Sequence, residues 1–171
     1  LFFPDLVKSI RVKTSKLLEV HLITQNPERW VSQFAEAGAN RIIFYPDTSS
    51  DIQNMINMVK AHNMSVGVSL TVENPVSLIQ PYLEQLTMVC ILGTGFDVKG
   101  VDDIVMGTCD KINDLVQLRR NTGLNFEIEA DGAIRLHTVP KLRQAGADIV
   151  VPGSLIFCPD MKKNIAWLQS L

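Results

Sequence analysis

The chain has few cysteines, no run of basic residues and no long apolar stretch, and each shortage removes a class of function. Its three cysteines, Cys90, Cys109 and Cys158, are widely spaced, odd in number and set among apolar residues. Such a set builds no disulfide framework and supplies no CxxC ligand pair, so it reads as buried thiols in a reducing compartment. Basic residues never cluster beyond the pairs Arg119-Arg120 and Lys162-Lys163, and the formal net charge is −2. That leaves no field able to hold a polyanion such as nucleic acid. No apolar run is long enough to span a bilayer, and the opening Leu1-Phe2-Phe3-Pro4-Asp5 lacks the basic-then-apolar layout of a secretory signal. A cytoplasmic protein with no nucleic-acid partner and no membrane partner is expected. Low-complexity segments and interdomain linkers are also missing.

What is present is a chain of 171 residues, 46% hydrophobic and 20% charged, which suits one globular domain over 1–171 with a substantial core. Strand-like and helix-like segments alternate throughout, the pattern of a parallel sheet with crossover helices. Strands are expected near 18–23, 41–45, 65–70, 87–92, 125–130 and 148–152, and helices near 5–13, 27–37, 51–62, 75–84, 102–120, 138–145 and 161–169. Asn26-Pro27 and Asn74-Pro75 each set a capping side chain before a proline at the first helical position. The near copies Ala37-Gly38-Ala39-Asn40 and Ala145-Gly146-Ala147-Asp148 end helices with glycine and lead into strands, as if one unit were used repeatedly. Ile52, Met55, Ile56 and Val59 follow the helical period, as do Ile112, Leu115 and Val116, giving each helix one apolar stripe. Six strands in this alternation suit either an open doubly wound sheet or most of an eight-stranded barrel.

Two strands depart from an ordinary core pattern. In Phe126-Glu127-Ile128-Glu129-Ala130-Asp131-Gly132-Ala133, alternate positions put Glu127, Glu129 and Asp131 on one face and Phe126, Ile128 and Ala130 on the other. An edge strand with a solvated acidic face would carry the same pattern. Leu18-Glu19-Val20-His21-Leu22-Ile23 repeats it, with Glu19 and His21 sharing a face, so histidine and carboxylate recur together. The loops Gly132-Ala133 and Gly153-Ser154 that follow the last two strands are small enough to offer backbone N–H groups to an anion. In barrels, phosphate is commonly held there.

At this point the chain resembles the ribulose-phosphate 3-epimerase family and its relatives acting on hexulose 6-phosphates. The likeness runs from Phe3 onward. It rests on Glu19-Val20-His21-Leu22-Ile23 followed by Asn26-Pro27-Glu28-Arg29-Trp30, on Ala37-Gly38-Ala39, on Gly95-Phe96, on Glu127 through Gly132, on Ala145 through Asp148, and on Gly153-Ser154. The resemblance implies a TIM (β/α)8 barrel of which this chain holds six of the eight strands, the N-terminal two strands and one helix lying outside it. It implies a divalent cation, zinc first and iron, manganese or cobalt as alternatives. His21 and Asp131 are the ligands assigned to this sequence, and Asp131 is also a proton-transferring group. The implied activity is inversion of C3 of a ketose phosphate, ribulose 5-phosphate or a hexulose 6-phosphate such as allulose 6-phosphate, through an ene-diolate. Gly95, Phe96, Gly132, Ala133, Gly153 and Ser154 are the implied phosphate contacts, and assembly into a homo-oligomer is expected.

The chain also departs from the family pattern. Asp97 and Val98 stand where two glycines are usual, Ala133 replaces the second glycine of a pair, and Glu19 replaces an aspartate beside the histidine. Lys99 could offset the charge of Asp97. Glu127 and Glu129 read as hydrogen-bonded groups deep in a barrel and not as catalysts. His62 and His137 read as surface or capping residues, and Tyr45-Pro46-Asp47 as a strand end that either lines the site or simply turns. Two other functions fit less of the sequence: a catalytically inactive barrel that binds a phosphorylated sugar, and a hexulose-phosphate synthase or decarboxylase relative. The latter would need Asp-x-Lys-x-x-Asp where Glu19 through Thr24 has no lysine.

Overall fold

The computed structural model describes residues 3–95 and 100–171. Its six strands are β1 (Glu19–Leu22), β2 (Arg41–Phe44), β3 (Ser65–Leu70), β4 (Met88–Leu92), β5 (Glu127–Asp131) and β6 (Ile149–Val150). They follow one another in one sheet in chain order, β1-β2-β3-β4-β5-β6. That order decides between the two architectures open to the sequence, because a doubly wound sheet reverses its strand order at a switch point and this one does not. Neighbouring strands run parallel: Glu19 lies opposite Arg41, Arg41 opposite Ser65, and Glu129 opposite Ile149.

Residues group into two compact units, the first comprising Leu1–Ser69 with Ile79–Val89, the second Leu70–Leu78 with Cys90–Leu171. In the first, α1 (Pro4–Arg11), α2 (Val31–Glu36) and α3 (Ile52–Ala61) accompany the strands. Ile42, Ile43, Phe44, Val66 and Val68 are buried with the α3 stripe residues Met55, Ile56 and Val59, as the helical period of that stripe requires. In the second, α4 (Thr108–Thr122), α5 (Val139–Ala145), the short α6 (Gly153–Ile156) and α7 (Met161–Ser170) surround a core that includes Ile112, Leu115, Ile128, Ala130 and Leu142. No helix of the described residues is long and apolar enough to cross a membrane.

Several expectations are corrected by local chemistry. Asn26 precedes a 3-10 turn, Pro27–Trp30, in a left-handed conformation (φ 53°) with no side-chain cap bond. The Asn74 side chain faces backward, its Oδ1 accepting from the Thr71 amide and hydroxyl at 3.0 Å each. The helix expected near 75–84 is instead two 3-10 turns, Val76–Leu78 and Gln80–Gln85. Pro81 accounts for this, since it supplies no N–H to an α-helical ladder and disfavours helical geometry in the residue before it. The helix expected from 102 begins at Thr108, after Gly107 at φ 91°. Of the three thiols, only Cys90 is buried; Cys109 and Cys158 are half-buried. The two glycine helix ends are as expected, with Gly38 at φ 93° and Gly146 at φ 105°.

Candidate active site

In the first unit, β1 carries Glu19 and His21 on one face, and the parallel register sets Arg41 of β2 directly opposite Glu19. The Glu19 carboxylate uses each oxygen on a different partner. Oε2 accepts from Arg41 Nη1 at 3.0 Å, and Oε1 lies 3.1 Å from His21 Nε2. All three side chains are less than one-fifth exposed, so the contacts work in a setting where water screens them little. One carboxylate therefore fixes the orientation of the imidazole and is itself held by a guanidinium. Tyr45, at the end of β2, is fully buried, and Pro46–Thr48 turns back on it, with Thr48 N donating to the Tyr45 carbonyl at 3.0 Å. Asp47 is exposed. His62 and His137 are both exposed, as surface positions should be.

In the second unit, β5 presents its acids unevenly. Glu129 is 2% exposed, Asp131 is half-buried and Glu127 is exposed. Glu127 is thus not a deep group, because it stands at the first residue of the strand, where the sheet begins. Cys90 of β4 and Glu129 of β5 are both buried, and their sulfur and carboxylate oxygen come within 4.8 Å. Reading Cys90 as a packing thiol overlooked this neighbour, although equal placement on adjacent strands was a signal for it.

Asp131 ends β5 and is tied on both sides. Its Oδ1 accepts from the Gly132 amide at 2.7 Å, and its carbonyl accepts from the Gly93 amide, also at 2.7 Å. Gly132 follows at φ 86°, where a side chain is strained, and a Cβ there would lie 2.8 Å from Thr94 Oγ1. Ala133 then adopts φ 51°, a left-handed conformation uncommon for a residue with a Cβ. Thr138, fully buried, holds this turn: its hydroxyl donates to the Ala133 carbonyl and accepts from the Arg135 amide, each at 2.8 Å.

Of the expected phosphate contacts, Gly132 and Ala133 on one loop and Gly153 and Ser154 on another are joined through Arg135, whose Nη1 donates to Ser154 Oγ at 2.9 Å. Gly153 and Ser154 are exposed, and a Cβ on Gly153 would meet open space. Gly95 is exposed, while Phe96, with Asp97, Val98 and Lys99, lies outside the described residues. In the same unit, Lys111 Nζ donates to the Asn74 carbonyl, and burial pushes its ammonium below the ordinary lysine range. His21 belongs to the first unit and Asp131 to the second.

Comparison with known proteins adds to this geometry. The model of the family described as ribulose-phosphate 3 epimerase matches residues 1–157. The ribulose-phosphate 3-epimerase of Serratia marcescens is 30% identical over 149 residues, which is 85% of this chain and 70% of that protein. The enzyme of the same name from Escherichia coli strain K12 is 28% identical over 171 residues, covering 98% of this chain and 75% of that one. Among solved structures, a mutant tryptophan synthase alpha-subunit from Pyrococcus furiosus matches with a TM-score of 0.69 at 13% identity, over 98% of this chain and 72% of that chain. Identity that low speaks for the fold alone, which is the α/β fold of the TIM barrel.

Proposed function

This chain belongs to the ribulose-phosphate 3 epimerase family, and from that premise we propose that it inverts C3 of a ketose phosphate, ribulose 5-phosphate before any hexulose 6-phosphate. Asp131 is the residue assigned to remove or return the C3 proton. The observation that carries this is its setting: a half-buried carboxylate at the carboxyl end of β5, with one oxygen fixed by the next amide and its backbone fixed by Gly93. Active sites of such barrels gather at that end of the strands, and a proton-transferring group must be held still to meet its proton.

His21 is the residue of the first unit that would serve as a ligand of a divalent cation. The donor chemistry fits, since a ligating imidazole typically gives its other ring nitrogen to a carboxylate and His21 has Glu19 at 3.1 Å in that role. Nitrogen and oxygen donors suit zinc, iron, manganese or cobalt. When bound, such a cation supplies positive charge to the substrate oxygens on which negative charge develops as the C3 proton leaves. Glu19 keeps the imidazole oriented, Arg41 holds Glu19 in place, and Asp131 moves the proton.

The test is incorporation of solvent deuterium at C3 of ribulose 5-phosphate and of allulose 6-phosphate. Exchange is expected with at least one of them, falling about a hundredfold or more in Asp131→Asn, the range removed with a general acid–base group, and falling again on chelation with recovery when a divalent ion is restored. No exchange with any ketose phosphate would overturn the proposal. The left-handed Ala133, where the family has glycine, would then favour the reading of a barrel that binds a phosphorylated sugar without turning it over.

A further inference from the structure

We propose that Arg135 is the phosphate-recognising cation of this chain, a residue that reaches the substrate's phosphate with the Nε side of its guanidinium while bracing the loops around it. The proposal rests on the epimerase reading for the identity of the ligand, but its geometry lies wholly within the second unit.

Arg135 follows the Gly132-Ala133 turn. Its guanidinium makes three hydrogen bonds, each to a different loop. Nη1 donates to the carbonyl of Ile134 after β5 at 3.1 Å and to Ser154 Oγ after β6 at 2.9 Å, and Nη2 donates to the carbonyl of Val101 after β4 at 2.7 Å. All three acceptors are neutral, so these bonds position the guanidinium without cancelling its charge, which is offset by a loose ion pair with the exposed Asp102. A guanidinium has five N–H donors, so Nε–H and one Nη2–H take no part in these three bonds. Asp102 forms this loose ion pair with Nε, its Oδ1 at 3.7 Å, beyond hydrogen-bond reach, and its side chain is 95% exposed. Arg135 itself is 24% exposed, enough to meet a ligand and too little to wander.

Two remaining N–H donors on one fixed plane suit the oxygens of a phosphate, which would displace the exposed Asp102 carboxylate. Backbone amides normally serve this end of the barrel, but here Ala133 adds a methyl group to an amide that phosphate would have to approach, and the loop after β4 carries Asp97 and Val98 in sequence. A side-chain cation is the substitution that chemistry would call for. A brace without ligand-binding would need only the three neutral bonds, and not donors facing an exposed, displaceable carboxylate.

Three variants separate the alternatives: Arg135→Met, Arg135→Lys and Asp102→Asn, each assayed for KM and kcat with the phosphorylated ketose and for the inhibition constant of inorganic phosphate. Loss of a charge-assisted contact predicts that Arg135→Met raises KM and the phosphate inhibition constant together by about tenfold to a hundredfold, with kcat changed far less. Arg135→Lys keeps the charge without the paired donors and falls between. Asp102→Asn moves the other way, tightening phosphate by about twofold, because an exposed competing carboxylate is worth little; a bracing role alone would not produce that sign. Wild-type turnover with KM and phosphate inhibition indifferent to position 135 would overturn the proposal and leave the epimerase reading intact. Should the wild type turn over no ketose phosphate, titration of inorganic phosphate against wild type and Arg135→Lys decides the arginine alone: equal binding, or none to either, overturns it, and weaker binding to the variant upholds it.

Discussion

Replacing Gly132 by alanine tests how the turn behind Asp131 is held. Two costs act at that position and can be separated. The first is conformational: at φ 86° an L-residue carries a strain of about 1–2 kcal/mol that glycine does not. The second is steric. The new methyl carbon would stand 2.8 Å from Thr94 Oγ1, 3.1 Å from Thr94 Cγ2 and 3.3 Å from the Thr94 amide nitrogen. Thr94 is 9% exposed, so rotating it away disturbs packed neighbours at about 1–2 kcal/mol. The sum is about 3 kcal/mol, and with a urea m-value of about 2 kcal/mol per molar the unfolding midpoint should fall by about 1.5 M. Urea titration followed by fluorescence and circular dichroism measures this, coincidence of the two curves confirming that one transition is being read. In the Thr94→Ala background both near side-chain atoms are gone and only the amide contact at 3.3 Å stays, so the same glycine replacement should cost little beyond the strain, about 1–2 kcal/mol. A midpoint that moves by less than about 0.3 M, or a cost unchanged by Thr94→Ala, would refute the reasoning.

Glu19→Gln keeps volume and removes the charge that Arg41 and His21 share. With both partners less than one-fifth exposed, the loss should be about 1–3 kcal/mol, seen as a melting temperature lower by several degrees, and no change would show that the carboxylate does not hold its neighbours. Burial, aided by the charge of Asp110, pushes the Cys109 thiol up, so the folded chain keeps its proton at pH values where the unfolded chain has lost it. Its contribution to stability is therefore whole below the ordinary thiol range and fades as pH rises through the raised folded value. Peptide-mapped alkylation at pH 8.5 should be slower at Cys109 in the folded protein than in urea, and equal rates would contradict the shift.

Much of the architecture could be read from periodicity, because it is written locally. The α3 stripe of Met55, Ile56 and Val59 and the glycine ends at Gly38 and Gly146 need only neighbours within a turn or two to be recognised. Errors arose where one residue vetoed a pattern: Pro81 dissolved an expected helix into 3-10 turns, and Gly107 delayed α4. Asn26 and Asn74 sit where caps belong, yet one backbone is left-handed and the other side chain is taken by Thr71. At the candidate site, alternation in β1 and β5 picked out Glu19, His21 and Asp131, but it could not separate exposed Glu127 from buried Glu129, since both share a face and differ only in how far along the strand they stand. Arg135 was invisible for another reason. Its partners Ser154 and Val101 lie 19 and 34 residues away, and no local pattern announces a side chain that joins distant loops.

The sheet's sequential registers carry a consequence for how the chain acquires its structure. Glu19 meets Arg41, Arg41 meets Ser65, and Glu129 meets Ile149, so each of these pairings closes a segment of some twenty residues. Loop-closure entropy grows only with the logarithm of length, which makes these steps nearly equal in difficulty. Each of these strands finds its mate in a neighbour already close along the polymer, and collapse can proceed by accretion from whichever strand–crossover–strand segment orders first.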